Sequence, residues 1–260
     1  MIDLIVHEEK SPPLNLAIEE SLLHSVCQGR RGVAARIWVN ASSIVIGRTL
    51  KYCEEVDCGA AERLGLGVYR RITGGGAVYH DEGNINLTII WPARGRIRID
   101  EIYRRGTSVM VRALSELGLR AWVENTNDVI VDGWKVSGSA AYASACASLF
   151  HATLLVEADI GTLRSVLKPR LERVARGEVT PAKYNPNNLR DIAGVRIPET
   201  ISSLRKAIRG LLGEYAETPL TSIEYKSAYD LYLEKYSRKE WNMEGKRPAC
   251  TQRVADTTRS

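Results

Sequence analysis

Residues 70–80 read Arg70-Arg71-Ile72-Thr73-Gly74-Gly75-Gly76-Ala77-Val78-Tyr79-His80. Three consecutive glycines cannot form a helix or strand interior. They let the backbone approach a ligand closely and leave amide N–H groups free to face anionic oxygens. The two arginines before them add positive charge and bidentate donors suited to phosphate. No Lys-Ser/Thr pair follows, so this is not the phosphate loop of nucleoside triphosphatases. Nor is it the dinucleotide-binding turn that opens a helix, because Ala77 to Tyr79 and then Ile85 to Trp91 have strand character. By composition alone the same stretch also describes a glycine-rich hairpin turn with solvated arginines.

Outward from the loop, strands and helices mix without βαβ alternation. On the N-terminal side lie a strand at Leu66 to Arg71 and a helix at Glu54 to Leu64 stopped by Gly65. Before them come strands at Ser43 to Ile46 and Ala35 to Val39, a helix opened by Pro12-Pro13 and running to about Val26, and a strand at Ile2 to Val6. On the C-terminal side, Ile99 to Leu117 is a helix with Ile102, Val109, Val111, Leu114 and Leu117 on its apolar face. Strands follow at Arg120 to Val123, Asp128 to Val131 and Leu149 to Glu157, with Lys135 to Ser139 between the last two. A short helix fits Ile160 to Leu167, and Arg170 to Asn188 is loop-like. Helices fit Ser202 to Tyr215 and Thr221 to Tyr236, and Gly245 to Ser260 is expected to be a flexible tail. The order predicts an α/β protein of the α+β type: a mixed, largely antiparallel sheet packed with helices, rather than a doubly wound parallel sheet.

The composition is that of a soluble globular chain: 260 residues, 44% hydrophobic and 26% charged. No run approaches about 18 apolar residues, and MIDLIVHEEK lacks the basic start of a signal peptide. The cytoplasm is the expected location, with no membrane partner. The five cysteines (Cys27, Cys53, Cys58, Cys146, Cys250) show no CxxC spacing, which argues against a zinc site or a disulfide framework. The net charge of +5 is spread over dispersed clusters. That signals nucleic acid only weakly; a phosphate-bearing ligand or an acidic partner protein accounts for it equally well. Abundant arginine beside two glutamines leans towards a thermophilic source.

Three further segments carry candidate chemistry. Asn127-Asp128 precedes Gly133-Trp134-Lys135-Val136-Ser137-Gly138-Ser139-Ala140, where small residues would let the Lys135 ammonium meet a carboxylate or phosphate oxygen; a surface lysine in a Gly/Ser turn is the plainer alternative. His151 enters an apolar strand, a position more typical of a hydrogen-bonded core histidine than of a ligand contact. Glu19 and Glu20 read best as a solvated helix face.

Taken together and in this order, the motifs resemble the lipoate–protein ligase A family. RRITGGGAVYHDEGN is similar to its arginine pair, three glycines, Ala-Val, aromatic, His-Asp and Gly-Asn. ND…GWKVSGSA and HATLL are similar to its Asn-Asp, Lys-Ile/Val-Ser-Gly-Ser-Ala and His-Gly-Thr-Leu-Leu segments. The resemblance runs from about Asn15 to Asn242, and the family shares its fold with biotin–protein ligases. It implies a two-step reaction: lipoate and ATP give lipoyl-AMP, and the lipoyl group then passes to a lysine. The acceptor is a lipoyl domain of a 2-oxoacid dehydrogenase E2 component or the glycine-cleavage H protein. It further implies that Arg71, Gly75, Gly76, Ala77, Val78, Tyr79 and Asp128 bind the nucleotide or adenylate. Lys135 would bridge carbonyl and phosphate as the catalytic group, His151 would shape the lipoyl tunnel, and Mg²⁺ would accompany ATP without a protein metal site.

Departures from the pattern are Thr49-Leu50-Lys51 after Arg48, Ala152 in place of glycine, and only a short tail after Asn242. The last resembles the large subunit of two-part archaeal ligases. It implies a catalytic domain over residues 1–244, no C-terminal accessory domain on this chain, and a separate small accessory protein. The alternative is an octanoyl/lipoyl transferase that uses a cysteine and a carrier-bound acyl donor without ATP. Cys146 is the nearest thiol, and its position matches neither cysteine pattern of those enzymes. The loop does not match the Gly-Arg-Gly-Arg-x-Gly of biotin–protein ligases. Retention of Arg71, the glycine run and Lys135 together argues against a non-catalytic binding protein.

Overall fold

The computed structural model describes residues 1–6, 9–93, 95 and 97–246. Its strands are β1 (Ile2–Val6), β2 (Ala34–Trp38), β3 (Ser43–Ile46), β4 (Gly67–Arg70), β5 (Val78–His80), β6 (Asn84–Pro92), β7 (Ala121–Glu124), β8 (Asp128–Val131), β9 (Trp134–Ala143), β10 (Ala147–Leu155) and β11 (Tyr215–Glu217). Its helices are α1 (Pro12–Cys27), α2 (Tyr52–Glu55), α3 (Cys58–Arg63), α4 (Ile99–Glu116), α5 (Ile160–Val166), α6 (Leu171–Ala175), α7 (Leu189–Ala193), α8 (Ile197–Leu212), α9 (Ser222–Leu231) and α10 (Lys239–Glu244). Among these, no helix is long and apolar enough to cross a membrane.

Eight strands form one sheet in the order β11-β1-β2-β6-β10-β9-β8-β7, and a smaller sheet has the order β4-β3-β5. The β11-β1-β2 pairings are parallel and every other pairing in the large sheet is antiparallel, the mixed arrangement expected. Strand β6 lies at its centre and is buried from Asn84 to Trp91. Its alternation divides the molecule. Ile85, Leu87, Ile89 and Trp91 face α4 and α8 in the main core, beside Phe150, Val109, Leu204 and Ala207. Gly106 of α4 permits this approach, since a Cβ there would meet the Phe150 ring at 2.2 Å. Asn84, Asn86 and Thr88 face the other way. Helix α1 and the small sheet cover that second face, and the polar row between them is the ground on which the site is built.

Helix α1 starts where the proline pair predicts. It is not an amphipathic surface helix: Asn15, Glu19, Ser21 and Ser25 are buried with Leu16, Ile18 and Leu22. The reading of Glu19 and Glu20 as a solvated face is therefore overturned. Glu20 accepts hydrogen bonds from Lys235 Nζ and Tyr236 Oη, both at 2.6 Å. Helix α9 packs on α1 through a buried ion pair. Arg31 Nε and Nη2 meet Glu224 at 2.6 and 2.7 Å, and Ser25 Oγ donates to the same carboxylate. Burial would raise the Glu224 pKa, but Arg31 and Ser25 outweigh it and hold the group at about 2.

Several expectations are corrected. Lys135 to Ser139 is no turn; it lies within the ten-residue strand β9. The helix expected over 54–64 breaks at Val56, which is fully buried and bridges to Leu167, and Asp57 restarts the chain as the cap of α3. The loop-like 170–188 segment contains α6 and a 3₁₀ turn at Pro181–Tyr184. Helix α8 begins earlier than Ser202, with Pro198 in its first turn, and Tyr215 opens β11 instead of ending the helix. Gly245 is not loose: its carbonyl accepts from Arg48 Nη1 at 2.9 Å. The remainder of the predicted tail, from residue 247, lies outside the described residues.

The cysteine expectation also fails. Cys27 and Cys146 form a disulfide across 119 residues with Cα atoms 4.9 Å apart, and Cys53 pairs with Cys58. Spacing rules missed them because the first joins the end of α1 to the β9–β10 hairpin, a contact made only by tertiary folding.

Candidate active site

The glycine loop joins β4 to β5, and its conformation is set from within. Arg71 is 5% exposed. Its guanidinium donates to Thr73 Oγ1 (2.9 Å) and to the carbonyls of Val45 (3.2 Å), Gly74 (2.7 Å) and Gly76 (3.0 Å). Burial lowers its pKa to about 10, so it stays charged at neutral pH. Gly75 adopts φ +93°, open to glycine at little cost. At Gly47 a methyl would meet the Gly75 carbonyl oxygen at 1.9 Å, so the residue after β3 must be glycine for the loop to fold over it. The arginine pair divides its work. Arg70 points away and donates to the carbonyls of Trp241 (2.9 Å), Gly47 (2.9 Å) and Leu50 (2.7 Å), tying α10 to the small sheet.

One loop amide already has an acceptor. Glu55 Oε2 takes the Ala77 N–H at 3.0 Å and also lies where a Cβ on Gly76 would sit, at 2.1 Å. A carboxylate thus rests at the place where the loop can receive an anionic oxygen.

Across the cavity, Lys135 Nζ is 2.7 Å from Asp128 Oδ1, and Lys183 Nζ is 3.2 Å from Oδ2. Asp128 is fully buried. Burial would raise its pKa, but the two ammoniums overcome this and lower it. Gly138 lies under the Lys135 side chain, where a Cβ would come within 3.3 Å of Nζ. Small residues beside the lysine therefore leave it room, but on a strand rather than in a turn.

The polar row of the second face completes the site. His151 Nδ1 lies 3.0 Å from Glu19 Oε1, and its Nε2 faces Thr73 Oγ1 at 2.9 Å. Thr88 Oγ1 donates to Glu19 and accepts from Trp38 Nε1. His151 is thus both a hydrogen-bonded interior residue and part of the cavity wall. Burial would raise the Glu19 carboxyl, yet the adjacent His151 prevails and lowers it. His80 faces the Asn40 amide through Nδ1, at 2.9 Å, which leaves Nε2 to carry the proton. Burial drops its pKa to about 3, so the ring is neutral. His80 Nε2 and Asn86 Nδ2 are buried, border the cavity and have no hydrogen-bond partner among the described residues.

The cavity measures about 820 Å³. Its lining includes the apolar Leu16, Trp38 and Val45 and the cationic Arg71, Lys135 and Lys183. Of the residues singled out in the sequence, Arg71, Gly75, Gly76, Ala77, Val78, Tyr79, Lys135 and His151 all line it. Asp128 lies behind the wall and holds Lys135. Sequence reasoning missed Glu19, Glu55, His80, Asn86 and Lys183. Two of them carried a signal: His80 closes the glycine motif itself, and Asn86 belongs to the Asn84-Ile85-Asn86-Leu87-Thr88-Ile89 alternation, a polar residue at every second position of an otherwise apolar strand.

Such a cavity suits a ligand with an anionic part and a long apolar part. The family model of the lipoyl protein ligase A/B catalytic domain matches residues 11–209. The chain belongs to this family. Among relatives, a protein of Aeropyrum pernix assigned as a lipoate-protein ligase A is 46% identical over 207 residues, covering 78% of this chain and 77% of that one. A bipartite lipoate protein ligase of Thermoplasma acidophilum, solved in a study of that system and its E2 lipoyl domain, superposes with a TM-score of 0.84 at 30% identity. That match covers 95% of this chain and 98% of the other. A lipoate-protein ligase A bound with ATP gives a TM-score of 0.83 at 28% identity, covering 93% and 98%. These relatives are lipoate–protein ligases, which are enzymes, and the mixed-sheet fold expected for this chain is the fold they share.

Proposed function

We propose that residues 1–244 are the catalytic unit of a cytoplasmic, ATP-dependent lipoate–protein ligase. The observation that carries this is one cavity whose lining combines the glycine loop, Lys135 and apolar side chains. In the first step a lipoate carboxylate oxygen attacks the α-phosphorus of ATP and pyrophosphate leaves, giving lipoyl-AMP. In the second, the amine of an acceptor lysine attacks the lipoyl carbonyl, the bond to AMP breaks, and the amine loses a proton. Both steps build negative charge on oxygens of the same mixed anhydride. Lys135 stabilises that charge from one side and the amides of Gly76 to Tyr79 from the other. Arg71 holds the loop in its ligand-binding shape, Asp128 orients Lys135, and His151, fixed by Glu19, borders the lipoyl chain. Glu55 must leave the Ala77 amide for the ligand to take it.

The carboxylates near the cavity do not make a metal cage. Asp128 is engaged by two lysines and Glu55 by a backbone amide. Mg²⁺ would accompany ATP and would offset the charge of its phosphates and of the leaving pyrophosphate. Acceptors are a lipoyl domain of an E2 component or the glycine-cleavage H protein, and a separate small protein supplies the accessory function, as the bipartite Thermoplasma ligase suggests.

The test is the intact mass of an apo lipoyl domain incubated with this protein and either lipoate plus MgATP or synthetic lipoyl-AMP. Lipoylation in the second reaction is expected, and in the first once the accessory protein is present. Modification by an octanoyl carrier protein alone would contradict the reading.

The thiol-dependent alternative is testable separately. The nearest thiol, Cys146, is engaged with Cys27. The double variant Cys27→Ser/Cys146→Ser is expected to keep transfer within about twofold, since no acyl-enzyme forms. Opening the 119-residue separation removes about 5 kcal/mol of chain-entropy stabilisation, which lowers Tm by roughly 10 °C. Loss of transfer in a folded variant would restore the cysteine mechanism.

A further inference from the structure

Lys183 belongs to none of the sequence motifs, yet it is placed with care. It sits on the 3₁₀ turn Pro181–Tyr184. Just beyond, Lys135 N donates to the Asn185 carbonyl at 2.9 Å and Asn187 N donates to the Lys135 carbonyl at 3.1 Å. The backbone of this segment is thus bonded to the residue carrying the other lysine. On the opposite side, Asn125 takes the Thr180 N–H at 2.8 Å and donates to Thr180 Oγ1 and to Asp128 Oδ2, both at 3.1 Å. Two clamps hold the turn over Asp128, and Asp128 is the one carboxylate paired with Lys183 among the described residues.

Charge decides what this arrangement does. A lysine paired with a buried aspartate has no net charge, and the field of such a pair falls off steeply, so it does little for an oxyanion a few ångströms away. Asp128 is fully buried, and the Lys135 and Lys183 side chains are about equally enclosed and both line the cavity. Two ammoniums on one carboxylate leave a net charge of one positive unit facing the ligand.

We propose that Lys183 is a positioning residue of the transfer reaction. By taking half of Asp128 it leaves the charge of Lys135 uncancelled for the phosphate and carbonyl oxygens of the adenylate. This rests on the ligase reading above and adds a residue to it.

The experiment compares wild type, Lys183→Met, Lys183→Arg and Asp128→Asn/Lys183→Met in lipoyl transfer from saturating synthetic lipoyl-AMP to an apo lipoyl domain, with folding checked by thermal melting. Lys183→Met is expected to lower the rate about 100-fold, the scale of losing one charge-stabilising group. Lys183→Arg keeps the charge and should remain within about threefold of wild type. The double variant removes one negative and one positive charge together and should recover about tenfold of the loss, a rescue that a merely structural lysine would not show. A Lys183→Met rate within threefold of wild type, or a double variant no faster than Lys183→Met, overturns the inference and leaves the ligase reading standing. A wild-type protein that transfers nothing from lipoyl-AMP overturns both.

Discussion

Lys135→Ala is expected to lower lipoyl transfer from synthetic lipoyl-AMP by about 1,000-fold, the upper range for removing a single charge donor from an oxyanion site. The expectation rests on position. Lys135 is the ammonium on the long strand β9, opposite the glycine loop, and Gly138 gives it space. Little stability should be lost, because Asp128 keeps Lys183 and Asn125 as partners. The measurement is the rate of mass increase of the acceptor domain, with Tm as the control for folding. A well-folded Lys135→Ala protein with more than a tenth of wild-type activity would remove this residue from the mechanism.

Arg71→Lys is expected to be nearly as severe although it keeps the charge. The guanidinium serves Thr73 Oγ1 and three carbonyls, those of Val45, Gly74 and Gly76. A lysine ammonium cannot reach all four from one point. Each buried carbonyl left without a donor costs about 1–3 kcal/mol, which the loop avoids by opening to water. The ligand-binding form is then a minor state, and affinity for lipoyl-AMP should fall by about 100-fold. Calorimetry measures the affinity; hydrogen exchange at Gly74 to Ala77 should become faster in the same variant. Unchanged exchange together with affinity within threefold of wild type would show that Arg71 does not order the loop.

What the sequence disclosed of this site follows the physics of each residue. The glycine run was legible because three consecutive glycines do not belong in a helix or strand interior, and because a strand, not a helix, follows it; in the fold Gly75 takes the positive φ that glycine permits. The strand around Lys135 was not: Ser137, Gly138 and Ser139 are turn-like by composition, and they lie in a strand because neighbours on both sides complete their hydrogen bonds. Gly138 is small to make room for the lysine, a reason that exists only once Asp128 is beside it. Glu19 looked solvated because two adjacent glutamates usually are; its partners Thr88 and His151 come from strands far along the chain. Lys183 and Glu55 reach the cavity from segments without a motif, and the Cys27–Cys146 bond joins ends of elements that only the folded sheet brings together.

The most direct test of the account is a crystal structure of this protein with lipoyl-AMP. It should show Lys135 Nζ and the amides between Gly76 and Tyr79 within about 2.7–3.2 Å of the phosphate and carbonyl oxygens. The acyl chain should lie against the wall formed by Trp38 and His151, and the Glu55 carboxylate should be displaced from the Ala77 amide. An adenylate bound outside the cavity, or bound with Glu55 still on Ala77 and Lys135 in contact with Asp128 alone, would contradict it.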